Sequence, residues 1–202
     1  MKDWIGNKRS TFSTLGASNH SDYVREERDF YATDPKAIDA LYDILGSDCS
    51  SSVWEPACGN GHLSKRIQEI FPSINIYSSD IIQRDYPCEV FDFLKEKRDD
   101  RKEVDIITNP PYKYALEFVE KGLEHIKDGY KVCMFLKITF LEGQKRRAFF
   151  EKNPPKIVAV FSKRIQVARN GDTEMFKKSS AACYAWFVWE KGYIGKPTIE
   201  WI

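Results

Sequence analysis

Ser52-Val53-Trp54-Glu55-Pro56-Ala57-Cys58-Gly59-Asn60-Gly61-His62-Leu63, residues 52–63 of a 202-residue chain, decide the fold. Residues 52–55 read as a short strand, and a helical pattern runs from Gly61 to Ile70. A Gly-x-Gly turn between a strand and a helix lets the backbone come close to a ligand. A dinucleotide fingerprint would carry a third glycine three residues after Gly61, but Ser64 stands there. Glu55 at the strand end also sits badly beside a phosphate and suits a ligand bearing an ammonium or sulfonium group. The turn therefore reads as nucleoside-binding without a pyrophosphate site.

Outward from this turn, strands alternate with helices. Strands are expected at 74–79, 89–91, 104–108, 131–136, 157–161 and 182–189. Helices are expected from Thr33-Asp34-Pro35 to Gly46, over 114–126 and over 143–150, with Thr33 as N-cap of the first. Leu116, Val119, Leu123 and Ile126 form one stripe of the second. The pattern predicts a doubly wound α/β fold, a mostly parallel sheet with helices on both faces. The last two strands are separated by a polar insertion, so an antiparallel closing strand is expected. Residues 1–30 read as a polar arm, 31–202 as one domain, and 162–181 as a basic insertion between the last two strands.

The chain is 42% hydrophobic and 14% aromatic, a globular composition. No apolar run approaches the ~20 residues that span a membrane. The first residues lack a signal-peptide stretch, so a cytoplasmic setting is expected. The five cysteines show no metal-ligand spacing, and neither a metal nor a disulfide is expected; Cys133 and Cys183 lie in apolar runs and read as core thiols. Net charge is +1, yet residues 129–181 carry an excess of eight positive charges. Such a segment can face a polyanion, or be a solvated face. Lys137, Lys145, Arg146, Arg147, Lys163, Arg164 and Arg169 are the candidate phosphate contacts.

Two further acids fall at strand ends. Asp80 lies 21 residues after Gly59, close to the ~20-residue offset at which a carboxylate accepts bonds from ribose hydroxyls. Asp92-Phe93 follows the next strand, where an acid beside an aromatic suits an adenine ring and its amino group. Residues 109–112 then read Asn-Pro-Pro-Tyr, directly after the apolar run 104–108. Two prolines cannot continue a strand, and they hold Asn109 extended. The corner directs an amide, bare carbonyls and an aromatic ring into one space, an arrangement that suits an exocyclic amino group on a flat base.

Together these motifs resemble the amino-group DNA methyltransferases, specifically the small phage-type N6-adenine enzymes with the gamma-type motif order. EPACGNGHL (55–63) resembles that family's cofactor motif through Glu55, Ala57, Gly59 and Gly61, Asp80 its ribose acid, Asp92 and Phe93 its adenine contact, and Asn109, Pro110, Pro111 and Tyr112 its catalytic motif. Thr33 in YATDP (31–35) resembles the upstream motif that closes over the methionine end. The resemblance implies a seven-stranded class I methyltransferase sheet and S-adenosylmethionine as cofactor, with Asn109 among the residues near it. It also implies DNA as substrate, with the target adenine flipped out of the duplex. Many members carry a large target-recognition domain. This chain has only residues 162–181 and the arm for that task, so specificity is expected to be short, weak or supplied by a partner. The same corner occurs in RNA and protein-glutamine methyltransferases. A non-catalytic nucleic-acid-binding partner subunit and a nicotinamide-dependent oxidoreductase are the other readings; the intact corner speaks against the first, and the corner with the missing glycine against the second.

Overall fold

The computed structural model describes residues 31–97, 102–169 and 182–202. The predicted arm at 1–30 and residues 170–181 of the predicted insertion lie outside them.

The order is β1 (Tyr31–Thr33), α1 (Lys36–Leu45), β2 (Ser52–Glu55), α2 (His62–Ile70), β3 (Asn75–Asp80), β4 (Glu89–Val90), β5 (Asp105–Thr108), α3 (Ala115–His125), β6 (Lys131–Lys137), α4 (Gln144–Lys152), β7 (Ile157–Val160), β8 (Val167–Arg169), β9 (Tyr184–Glu190) and β10 (Thr198–Trp201). Eight strands form the main sheet, in the order β10-β7-β9-β6-β5-β2-β3-β4. β9 runs antiparallel to β6 and β7, and every other pairing in the sheet is parallel. The doubly wound prediction and its antiparallel closing strand hold. The sheet has one strand more than expected, because β10 adds at the edge beside β7.

Helices cover both faces, so the inner strands are buried on both sides and read as near-continuous apolar runs. α1 buries Ala37, Ile38, Leu41, Tyr42 and Leu45 against Val53, Ile107, Phe135 and Trp186. α3 and α4 cover the other face over Trp54, Ile106, Met134 and Phe187. Trp186 and Trp189 are core residues, and Nε1 of Trp186 donates to the Ala37 carbonyl at 2.7 Å, tying β9 to α1. All five cysteines are free thiols; Cys133 is buried as expected, but Cys183 is exposed, because it precedes β9 rather than lying in it.

The start of the first helix differs from the sequence reading. Thr33 lies in β1, Pro35 takes the N-cap position, and the Asp34 carboxylate accepts from the Lys36 amide at 3.0 Å. β1 pairs antiparallel with β8 as a separate two-stranded ribbon, with Thr33 opposite Val167. Three-residue strands leave no periodicity to read.

Candidate active site

Parallel strands bring their C-terminal ends to one sheet edge, where open α/β sheets form their ligand crevice. Glu55 ends β2, Asp80 ends β3, Asp92 follows β4 and Asn109 follows β5. The structure therefore gathers the residues singled out from sequence.

The glycine turn is locked to Asp80. The Gly59 amide donates to Asp80 Oδ2 at 2.8 Å, and the Cys58 amide to the Ser79 carbonyl at 3.0 Å. Asp80 Oδ1 accepts from the Ile82 amide at 3.0 Å. A carboxylate has about four lone-pair sites, so two remain for hydroxyl donors. Gly59 and Gly61 both have positive φ, at 54° and 71°. At Gly61 the close neighbour is the chain itself: a Cβ there would lie 2.3 Å from the Tyr86 ring. Ala57, between Glu55 and the glycines, packs half-buried against the core.

Glu55 is 2% exposed, and its carboxylate accepts from both the amide and the hydroxyl of Ser64 in the first turn of α2. The acid thus occupies the helix N-terminus, the place where a dinucleotide fold receives a pyrophosphate. Ser64, the residue that breaks the glycine fingerprint, is its partner. Burial pushes the Glu55 carboxyl up to about 8, against the lowering effect of the Ser64 bonds. Between pH about 4.5 and about 8 the native carboxyl keeps a proton that the unfolded chain has released, so stability falls as pH rises through that window and levels off above it. Glu55→Gln removes this titration. Urea midpoints across the window should fall with pH in the parent and stay flatter in the variant; parallel curves would show that the native carboxyl is ionised throughout.

The adenine-side residues divide. Asp92 caps a 3₁₀ turn through a 3.1 Å bond from the Leu94 amide and pairs with Lys95 at 3.1 Å. The Phe93 ring is 3% exposed, packed on Trp54 and Phe118 with centroids 5.2 and 5.1 Å away. That ring belongs to the core. Ile81, which sequence reading passed over, is 61% exposed directly after Asp80, and Val90, paired with Asp80, is exposed as well.

Pro110 is buried, and Pro111 opens the 3₁₀ turn Tyr112–Tyr114. The half-buried Tyr112 ring lies 6.1 Å from that of Tyr184, with Lys137 Nζ 5.5 Å from its centroid. A cleft of about 110 Å³ opens beside it, lined by Tyr112, Ala115, Leu136, Lys137, Thr139, Phe140 and Arg146. Phe140 is 8% exposed and packs on Phe150 and Phe187, whereas Phe161 lies against Phe135. The Asn109 amide donates from Nδ2 to the Thr33 hydroxyl at 2.8 Å, across 76 residues of sequence. No local signal could have found that contact.

The candidate phosphate contacts also divide. Arg146 donates to the carbonyls of Thr139 and Glu142 and lies over Phe140, so it braces the turn after β6. Arg147 pairs with Glu151 one helical turn on, at 2.8 Å. Lys137, Lys145, Lys163 and Arg164 are exposed. The Arg169 backbone ends β8, and its side chain lies outside the description.

The fold matches solved structures. The fold is that of the class I S-adenosylmethionine-dependent methyltransferases. A Listeria monocytogenes protein assigned to that class superposes with a TM-score of 0.53 at 14% identity, over 95% of this chain and 70% of that one. A modification subunit from Vibrio vulnificus, of an enzyme assigned as type I restriction, gives 0.58 at 12% identity, over 87% of this chain and 48% of that one. A SAM-dependent O-methyltransferase from Thermotoga maritima gives 0.55 at 13%, over 80% and 67%. No protein-family profile and no curated protein matches the sequence. Among the described residues no helix is long and apolar enough to cross a membrane, and no His/Cys/Asp/Glu group is arranged to hold a metal ion.

Proposed function

We propose that this protein transfers a methyl group from S-adenosylmethionine to the N6 amino group of adenine in DNA. The observation that carries the reading is the Asn109–Tyr112 corner at the end of β5, at the same sheet edge as the glycine turn and Asp80.

The residues fit the cofactor. Glu55 fills the α2 N-terminus, so a phosphate-free nucleoside is favoured over a dinucleotide. Asp80 has acceptor capacity for ribose hydroxyls, and Ile81 offers an apolar wall for a purine face. The cofactor supplies a methyl group on a sulfonium, which needs no covalent nucleophile from the protein. The Asn109 side-chain oxygen and the Pro110 carbonyl accept the two N6–H bonds, drawing the nitrogen lone pair out of the ring and aiming it at that methyl. Tyr112 stacks on the base, an interaction worth ~1–3 kcal/mol. Orientation then supplies much of the rate. As the new C–N bond forms, the methyl–sulfur bond of the cofactor would break and leave a neutral thioether, and the N6 proton then leaves to water.

An adenine inside a duplex cannot reach this edge, so it is flipped out or already single-stranded. Lys137 beside Tyr112 and the exposed Lys163 and Arg164 are the proposed backbone contacts. Target choice rests with the short basic insertion, with the arm or with a separate specificity partner.

Labelled cofactor offered with DNA, RNA and protein is the test. N6-methyladenine in DNA is expected. Label in RNA or in glutamine side chains instead would move the reading to those substrates, and intact cofactor binding without any transfer would favour the partner-subunit reading. DNA affinity should fall linearly on a log–log salt plot, with a shallower slope for Lys163→Ala/Arg164→Ala.

A further inference from the structure

Asn109 can orient its amide in two ways, and only one turns the oxygen to an incoming amino group. We infer that Thr33 holds the Asn109 amide in place, with Nδ2 toward its hydroxyl, and is a positioning residue for Asn109. The inference rests on the methyl-transfer reading and assigns Thr33 a task beyond lining the methionine end of the cofactor.

Thr33 is 2% exposed, and its hydroxyl oxygen receives the Asn109 Nδ2 donor at 2.8 Å. With the NH2 end committed there, the carbonyl arm of the same planar amide points the other way. A hydroxyl in so buried a place has few rotamers and holds its partner closely.

The anchor of Thr33 gives the contact a second consequence. β1 has β8 as its only strand partner among the described residues, through Tyr31–Arg169, Ala32–Ala168 and Thr33–Val167. The Asp34 amide extends the ribbon to the Gln166 carbonyl at 3.2 Å. Ala32 and Ala168 are buried at 3% and 0%, so the ribbon is packed onto the domain. β8 begins at Val167, with Ile165 and Gln166 between it and the exposed Lys163 and Arg164. The exposed Lys163 and Arg164 and the Asn109 amide are thus linked along the chain through one short ribbon.

The experiment compares the parent with Thr33→Val, Thr33→Ala and Thr33→Ser, reading kcat, cofactor Kd and the Asn109 side-chain amide signals by NMR. Val and Ala should each lower kcat about 10–100-fold, the scale of a small misplacement at a reacting centre, a loss well beyond any weakening of cofactor Kd. Ser keeps the hydroxyl and should restore kcat to near the parent. The Asn109 NH2 pair should shift in Val and Ala but not in Ser. Parent-like kcat in the hydroxyl-free variants would overturn the inference, as would a Kd that weakens in step with kcat, which would make Thr33 a cofactor contact only. If the parent itself transfers no methyl group to DNA, RNA or protein, the methyl-transfer reading falls. The NMR arm still judges the Thr33–Asn109 link in that case: an NH2 pair unmoved in Val and Ala overturns it.

Discussion

Replacing Asn109 by alanine should lower methyl transfer to DNA by about 100–1,000-fold, the usual cost of deleting one positioned polar group at a reacting centre. Cofactor affinity should stay near the parent value, because Glu55, the glycine turn and Asp80 are held by their own bonds. The side chain is half-buried and tied to Thr33, so its loss also leaves a buried hydroxyl without that partner. Asn109→Asp keeps an acceptor oxygen in the same place but adds a full charge and removes the Nδ2 donor. It should fall between alanine and the parent. Single-turnover transfer with saturating cofactor separates the chemical step from binding. Parent-like rates in the alanine variant would reduce the corner to a rigid turn and leave the domain as a partner for an active subunit.

The parts of this crevice that sequence made legible are those built from neighbours in the chain. Gly-x-Gly after a strand, an acid at the next strand end and two prolines after an apolar run each dictate local geometry. Parallel topology then forces their ends to one edge. What stayed hidden depends on distant residues. Thr33 reads as a helix cap from Thr-Asp-Pro, yet it pairs with Val167 and holds Asn109. The spacing that suggests a ligand-facing glycine is equally satisfied by Tyr86 packing on Gly61. Phe93 lies in a motif that suggests adenine, but Trp54 and Phe118 claim its ring. Charge counting also cannot separate Arg146, spent on two carbonyls, from Lys163, which faces water.

Trp54→Ala should be the most destabilising substitution near the site, at about 3–5 kcal/mol, the usual range for truncating a buried tryptophan. Trp54 is fully buried in β2, one residue before Glu55. Its ring packs on Phe93, Phe91 and His125, with centroids 4.9–6.0 Å away. Its Nε1 donates to the Ser79 hydroxyl at 2.9 Å, joining β2 to β3 immediately before Asp80. The alanine variant therefore opens a cavity and strands a buried hydroxyl at once. Trp54→Phe keeps most of the volume but also leaves the buried Ser79 hydroxyl without that donor, so it should cost about 1–3 kcal/mol for the lost bond, plus a smaller packing loss. Denaturant unfolding with unchanged slope measures both. The two variants also divide the effect on function. Ser79 accepts from the Cys58 amide through its backbone carbonyl, and Asp80 accepts from the Gly59 amide. Loosening the β2–β3 join should then weaken cofactor binding even where the domain stays folded, and more so in alanine than in phenylalanine. Equal cofactor affinity in both folded variants would mean that the glycine turn is held by Asp80 alone, with the core beneath it contributing to stability but not to the shape of the crevice.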